Sequence, residues 1–264
     1  MTLSIAVTGK GGVGKTTISS LLVKALHEKT NELILAVDAD PNANFHEALG
    51  VDTPKSVGDI REDVLKIGEN LPPEQSRSEY LDGLINSSIC EGEGFDLLSM
   101  GRPEGPGCYC YVNNLLRKIV DNLSEKYHLV VMDAEAGLEH FSRRTTKDVD
   151  ILLVVSDSSA RGLMTAQRIK NLISELNTNV GRIFLIVNRV KDSLADKVSD
   201  EASKVGIEVI ALIPEDDLVQ QFDFEGKPLT SLPEDSIAYQ NIKKLADKIL
   251  ATVNTKSTKW WEKV

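Results

Sequence analysis

The densest chemistry in the sequence is Gly9-Lys10-Gly11-Gly12-Val13-Gly14-Lys15-Thr16, with Thr17 directly behind it. The spacing is G-x-x-x-x-G-K-[ST], a loop that cradles phosphate when a strand precedes it and a helix follows. Its glycines allow backbone conformations that turn successive N–H groups toward phosphate oxygens. The following helix would add its N-terminal partial positive charge. Lys15 is placed to hold the β- and γ-phosphates of a nucleotide, and the Thr16 hydroxyl to ligate Mg²⁺.

Three acidic residues stand where a phosphate site needs them. Asp38 and Asp40, in Val37-Asp38-Ala39-Asp40-Pro41, follow an apolar run, and Asp133 closes Val130-Val131-Met132-Asp133. Parallel sheets bind ligands at the C-terminal ends of their strands. Asp133 therefore reads as the Walker B carboxylate that holds a Mg²⁺-bound water. The same residues could instead cap the helices that follow. The run Ile186-Val187-Asn188-Arg189-Val190-Lys191 ends another apolar stretch. A guanine site carries N-K-x-D there, but the fourth position is Lys191, which favours ATP. Asp192 stands one place later and leaves GTP open.

A second kind of chemistry sits in Gly105-Pro106-Gly107-Cys108-Tyr109-Cys110-Tyr111. Two thiolates one residue apart can face one soft metal. They cannot complete a four-coordinate site alone, whereas a two-fold homodimer would bring four sulfurs to one axis. Two buried structural cysteines, or a redox pair, are the competing readings. Cys90 has no obvious pairing, and His27, His46, His128 and His140 show no ligand spacing.

These residues need a scaffold, and short apolar runs supply it: Leu3–Val7, Leu33–Val37, Phe95–Leu98, Leu129–Met132, Ile151–Val155, Ile183–Val187 and Val209–Ile213. None alternates with polar residues, as expected of strands covered on both faces. Helical stripes lie between them: Ile18, Leu21, Leu22, Ala25 and Leu26; Leu115, Leu116, Ile119, Val120 and Leu123; Ile169, Leu172, Ile173 and Leu176. Strand–helix alternation predicts an α/β fold with a mostly parallel central sheet of seven to eight strands and helices on both faces. One P-loop NTPase domain is expected over residues 1–254, closed by a helix over Ile237–Val253. A tail over 255–264 carries Trp260-Trp261. The irregular stretch Val51–Gly94 is expected to decorate the sheet edge.

Composition narrows the class. The chain has 264 residues and a net charge of −10, which opposes non-specific nucleic-acid binding, because a phosphate polymer needs a cationic surface. No apolar run is long enough for a transmembrane helix, so stable membrane insertion is not expected. The first residues lack the basic and apolar regions of a secretory signal. Three cysteines are too few for a disulfide framework. A cytoplasmic protein is expected.

The second lysine of the loop extends the reading. G-K-G-G-V-G-K-T-T resembles the deviant Walker A motif of the superfamily that contains MinD, ParA and nitrogenase iron protein. The resemblance implies ATP hydrolysis with Mg²⁺ in a nucleotide-sandwich homodimer. It makes Lys10 a cation that reaches the partner's phosphates in trans. Asp40 becomes the residue that positions or deprotonates the attacking water, and Asp38 lies near the Mg²⁺ shell. Asp133-Ala134-Glu135-Ala136-Gly137 is similar to the switch II pattern D-x-x-A-G, whose glycine, Gly137, senses the γ-phosphate. Asn188 is placed on the base, with Arg189 beside it, and Pro214-Glu215-Asp216 against the other edge. With D-A-D-P-N and G-P-G-C-Y-C-Y-V-N-N added, the chain resembles the CooC-type accessory ATPases of carbon monoxide dehydrogenase and their acetyl-CoA synthase relatives. That resemblance implies a metallochaperone assisting nickel insertion into a client enzyme, with Ni or Zn held by Cys108 and Cys110 of both subunits. A MinD- or ParA-type spatial-organisation ATPase acting on membrane or DNA is the alternative.

Overall fold

A computed structural model describes residues 2–40, 42, 44–53, 55–60, 83–84, 86, 88–101, 126–134, 149–175 and 180–254, with position 88 opening the segment that leads into the third strand. Cys108, Cys110, Gly137, the stripe from Leu115 to Leu123 and the 255–264 tail lie outside these residues.

All seven expected strands are present in one eight-stranded sheet. In chain order they are β1 (Leu3–Gly9), β2 (Ile34–Ala39), β3 (Cys90–Gly92), β4 (Phe95–Ser99), β5 (Leu129–Ala134), β6 (Val149–Asp157), β7 (Val180–Val190) and β8 (Glu208–Pro214). Their spatial order is β3-β4-β2-β5-β1-β6-β7-β8. Every pair is parallel except β3 with β4. The strand without an apolar run, β3, is the three-residue antiparallel edge, turned back by Glu93-Gly94 with Gly94 at φ 79°. It belongs to the stretch expected to decorate the sheet edge.

The helices among the described residues are α1 (Lys15–Thr30), α2 (Phe45–Leu49), α3 (Ala160–Glu175), α4 (Ala195–Ser203), α5 (Asp217–Glu225) and α6 (Ile237–Asn254). One face of the sheet is covered by α1 and α6. There Ile18, Leu22 and Leu26 pack with Ile5, Ile34, Tyr239 and Ile242. The other face is covered by α3 and α4, through Leu163, Ala166, Ile169, Val198 and Ala202. Burying each such Leu or Ile contributes about 1.5–3 kcal/mol, so the unbroken apolar runs follow from a sheet with no wet face. Leu33 is 43% exposed and precedes β2 rather than starting it. At the β8 edge, the Lys248 ammonium of α6 donates to the Ile210 carbonyl at 2.6 Å.

Because the strands are parallel, their C-terminal ends gather on one edge of the sheet. β1 is central, between β5 and β6. Val7 is in register with Asp133, Asp38 with Asp133, Gly9 with Val155, and Asp157 with Asn188. Residues as far as 177 positions apart in sequence therefore meet there.

Candidate nucleotide site

The loop between β1 and α1 has the backbone its glycines allow. Gly12 lies at φ 78° and Gly14 at φ 89°, a region that a side chain disfavours. Gly14 caps α1 in the left-handed conformation, and a Cβ there would overlap the Asn188 amide nitrogen. At Gly9 a Cβ would overlap the Val155 carbonyl oxygen on the neighbouring strand. Around Gly11 and Gly12, by contrast, the space a Cβ would take is open. The loop is thus tight toward the sheet and open on its outer side, as a cradle for an anion must be.

Lys15 is buried, at 8% exposure. The Thr16 hydroxyl donates to one oxygen of Asp133 at 2.6 Å, and the Ser19 hydroxyl donates to the other at 3.1 Å. With its proton committed to Asp133, Thr16 keeps oxygen lone pairs for a cation. Burial pushes the Asp133 carboxyl up to about 6, against the lowering effect of Thr16, Ser19 and Lys15. On the adjacent strand, burial pushes Asp38 up to about 7, and the neighbouring Asp133 charge adds to it. The Asp38 oxygens accept from the Asp40 N–H at 3.1 Å and the Phe45 N–H at 3.0 Å. Two buried carboxylates at one register level, beside the Thr16 hydroxyl, fit a hard divalent cation such as Mg²⁺. Thr16 would ligate it directly, with Asp133 and Asp38 holding its hydration.

Asp40 lines a cavity of about 780 Å³ together with Gly11, Gly12, Gly14, Lys15, Thr16 and Thr17. Its carboxylate accepts from the Asn42 N–H at 2.8 Å. Lys10 is exposed. A second cavity of about 360 Å³ is lined by Ile18, Asn188, Pro214, Glu215 and Asp216 among others. Thr17, Arg189 and Asp223 line both cavities. An elongated ligand with a polyanionic end and a flat heterocyclic end matches this pair.

Asn188 is buried, and its amide nitrogen donates to the Val13 carbonyl at 2.9 Å. That bond leaves the amide oxygen as an acceptor, suited to an exocyclic amine such as that of adenine. Asp216 caps α5 through the Leu218 N–H at 2.9 Å. Its other oxygen accepts from the Ser236 hydroxyl at 2.6 Å and the Ala238 N–H at 2.9 Å. Burial pushes this carboxyl up, but the four hydrogen bonds from Ser236, Ala238, Leu218 and Val219 outweigh it and hold it below the usual carboxylate range. Asp216 therefore builds the wall of the second cavity by fastening two helices.

Ser19 and Asp223 belong to no motif in the sequence. Ser19 lies one helical turn beyond Lys15, a spacing that could have marked it. Asp223 sits on α5, whose sequence carries no phosphate motif. Cys90, partly exposed, donates from its thiol to the Asp52 carbonyl at 3.7 Å. Among the described residues no group of three or more His, Cys, Asp or Glu side chains is arranged to hold a metal ion.

Comparison with known proteins agrees with this geometry. Residues 4–229 match the CobQ/CobB/MinD/ParA nucleotide binding domain. An uncharacterised ATP-binding protein of Methanocaldococcus jannaschii is 47% identical over 93% of this chain and 98% of its own length. The carbon monoxide dehydrogenase accessory protein CooC of Rhodospirillum rubrum is 32% identical over 85% of this chain and 88% of its own. Among solved structures, the MinC:MinD cell division complex of Aquifex aeolicus aligns with a TM-score of 0.71 at 23% identity, covering 94% of this chain and 96% of that one. A domain matched over most of the length and a relative nearly half identical from end to end place the chain in the CobQ/CobB/MinD/ParA nucleotide-binding family.

Proposed function

We propose that the protein is a Mg²⁺-dependent ATPase, and that it works as a homodimeric metallochaperone for nickel insertion into carbon monoxide dehydrogenase or acetyl-CoA synthase. The observation that carries the ATPase reading is the buried Lys15 beside the Thr16–Asp133 hydrogen bond, inside a cradle of left-handed glycines. Catalysis is then mainly positioning and charge stabilisation. Backbone N–H groups and Lys15 bind the β- and γ-phosphates. Asp40, lining the same cavity, orients the attacking water and accepts its proton. Mg²⁺, when bound, neutralises charge building on the phosphate oxygens. Lys10, exposed on the loop, reaches the phosphates of the partner subunit, and Gly137 reads the γ-phosphate.

The chaperone reading is supported by 32% identity to CooC and by Cys-x-Cys at 108 and 110. Nickel is cargo in this reading, with Zn²⁺ as its competitor for four thiolates. The domain runs over 1–254, and the 255–264 tail is an appendage. The test is metal analysis of the purified protein with and without nucleotide, beside its ATPase rate. One soft divalent ion per dimer is expected, lost in the Cys108→Ser, Cys110→Ser double variant while ATP binding persists. One tight ion per dimer retained in that variant would remove the cysteine site.

The likeness to MinD favours a second reading, a spatial-organisation ATPase. Among the described residues no helix is long and apolar enough to cross a membrane. ATP-dependent pelleting with liposomes or DNA would select this reading over the first.

A further inference from the structure

Two non-glycine residues have left-handed backbone among those described, Asn31 and Arg189. Asn31 closes α1, where this conformation is ordinary and asparagine tolerates it. Arg189, at φ 55°, lies near the end of a strand and belongs to a residue type that does not favour it. Such strain persists where surrounding structure holds it in place, and it clusters at functional positions.

The β7–β8 pairing shifts register between Val187 and Val190. In a regular strand Asn188 and Arg189 would point to opposite faces. Here both reach the same loop: the Asn188 amide donates to the Val13 carbonyl at 2.9 Å, and the Arg189 guanidinium to the Gly12 carbonyl at 3.1 Å. Two consecutive side chains thus hold two consecutive carbonyls. In a trans peptide the C=O and the following N–H point in opposite directions. Drawing the Gly12 carbonyl toward Arg189 therefore turns the Val13 N–H away from it. Drawing the Val13 carbonyl toward Asn188 does the same to the Gly14 N–H.

We propose that Arg189 is a positioning residue for phosphate binding, aimed by its left-handed backbone to latch the Gly12 carbonyl and pre-set the loop's N–H groups before a nucleotide arrives. It acts through the loop rather than by touching the nucleoside. The proposal rests on the nucleotide-site reading given above.

Two variants separate its parts. Arg189→Gly and Arg189→Ala both remove the guanidinium, but only glycine relieves the backbone strain. Calorimetric binding of Mg²⁺-ATP and of Mg²⁺-tripolyphosphate would be measured with thermal unfolding. Both variants should lose affinity equally, about fivefold for either ligand, as expected for one solvent-accessible charged hydrogen bond. The Tm of Arg189→Gly should exceed that of Arg189→Ala by about 2–4 °C. Affinity that follows Tm would mean Arg189 merely supports the fold, and the proposal would fall. Loss of ATP affinity with tripolyphosphate binding intact would mean a direct nucleoside contact, which also overturns it, as would wild-type affinity in both variants. Wild-type protein that binds neither ligand would instead overturn the nucleotide site itself, and the latch with it.

Discussion

The two cavities that meet at Thr17, Arg189 and Asp223 are built by different means. The phosphate side is made of main chain: four glycines and two small hydroxyl residues from Gly9 to Thr17, aimed by left-handed turns. The other side is made of side chains from α1, β7, the end of β8, α5 and the start of α6. A main-chain site depends on where side chains are absent, so one stretch of sequence can specify it. A side-chain site depends on how distant elements pack. The first side holds buried Lys15 beside Asp133, whereas the second sets the apolar side chains of Ile18, Ile213, Pro214 and Val219 next to Glu215 and Asp216.

Perturbing each side should give different readouts. The largest effect is expected from Lys15→Ala. Removing two charge-assisted hydrogen bonds at about 2 kcal/mol each should weaken ATP about a thousandfold. Calorimetry showing near-normal affinity would break the assignment of the phosphate side. Asp40→Ala comes next. It should bind ATP as wild type yet hydrolyse it about a hundredfold more slowly, the usual weight of a general base. An unchanged single-turnover rate would take Asp40 out of the chemistry.

On the other side, Asp216→Ala should act first on stability, because one carboxylate fastens two helix starts. A loss of about 2 kcal/mol, or about 4–8 °C in Tm, is expected from chemical and thermal unfolding. Its folded-state pKa is lowered, so this stabilisation is present above the ordinary carboxylate range and fades as pH falls through the lowered value. The gap between variant and wild type should therefore narrow in acid. A constant gap down to pH 3 would assign the effect to packing instead. The smallest effect is selectivity. With the Asn188 amide oxygen free to accept, ATP should bind about tenfold more tightly than GTP, since guanine presents a carbonyl where adenine presents an amine. Equal competition by GTP would show that the second cavity does not read the base.

What could be read from sequence follows the same division. The β1–loop–α1 unit is legible because its spacing is local and its strand and helix are strongly patterned. Asp38 and Asp133 are legible because each closes an apolar run. The end of β7 is harder. The strand runs to Val190 rather than Val187, and Asn188 and Arg189 near its end are polar because they face the loop rather than a core. Nothing in the composition announces that Arg189 turns left-handed, since that depends on a register shift against β8. The edge strand β3 buries little, so its sequence is weakly constrained, and α2, although Phe45 and Leu49 are buried, is too short to show a repeating apolar pattern. Asp216 looks like a ligand residue from its place in Pro214-Glu215-Asp216, and only the positions of Ser236 and Ala238 reveal its second attachment.

The margins of the sheet carry a consequence for how two copies of the chain could join. A row of unpaired N–H and C=O groups on an edge strand is an open template for another strand. Here one margin is the three-residue β3, too short to recruit a partner. The other, β8, is irregular in its pairing with β7, ends in Pro214, and has the Ile210 carbonyl taken by Lys248. Among the described residues neither margin offers a flat ladder to extend. Self-association through these residues would leave the sheet at its present width, with the helical flanks and the rim where the strands end as the surfaces on which a second copy can settle.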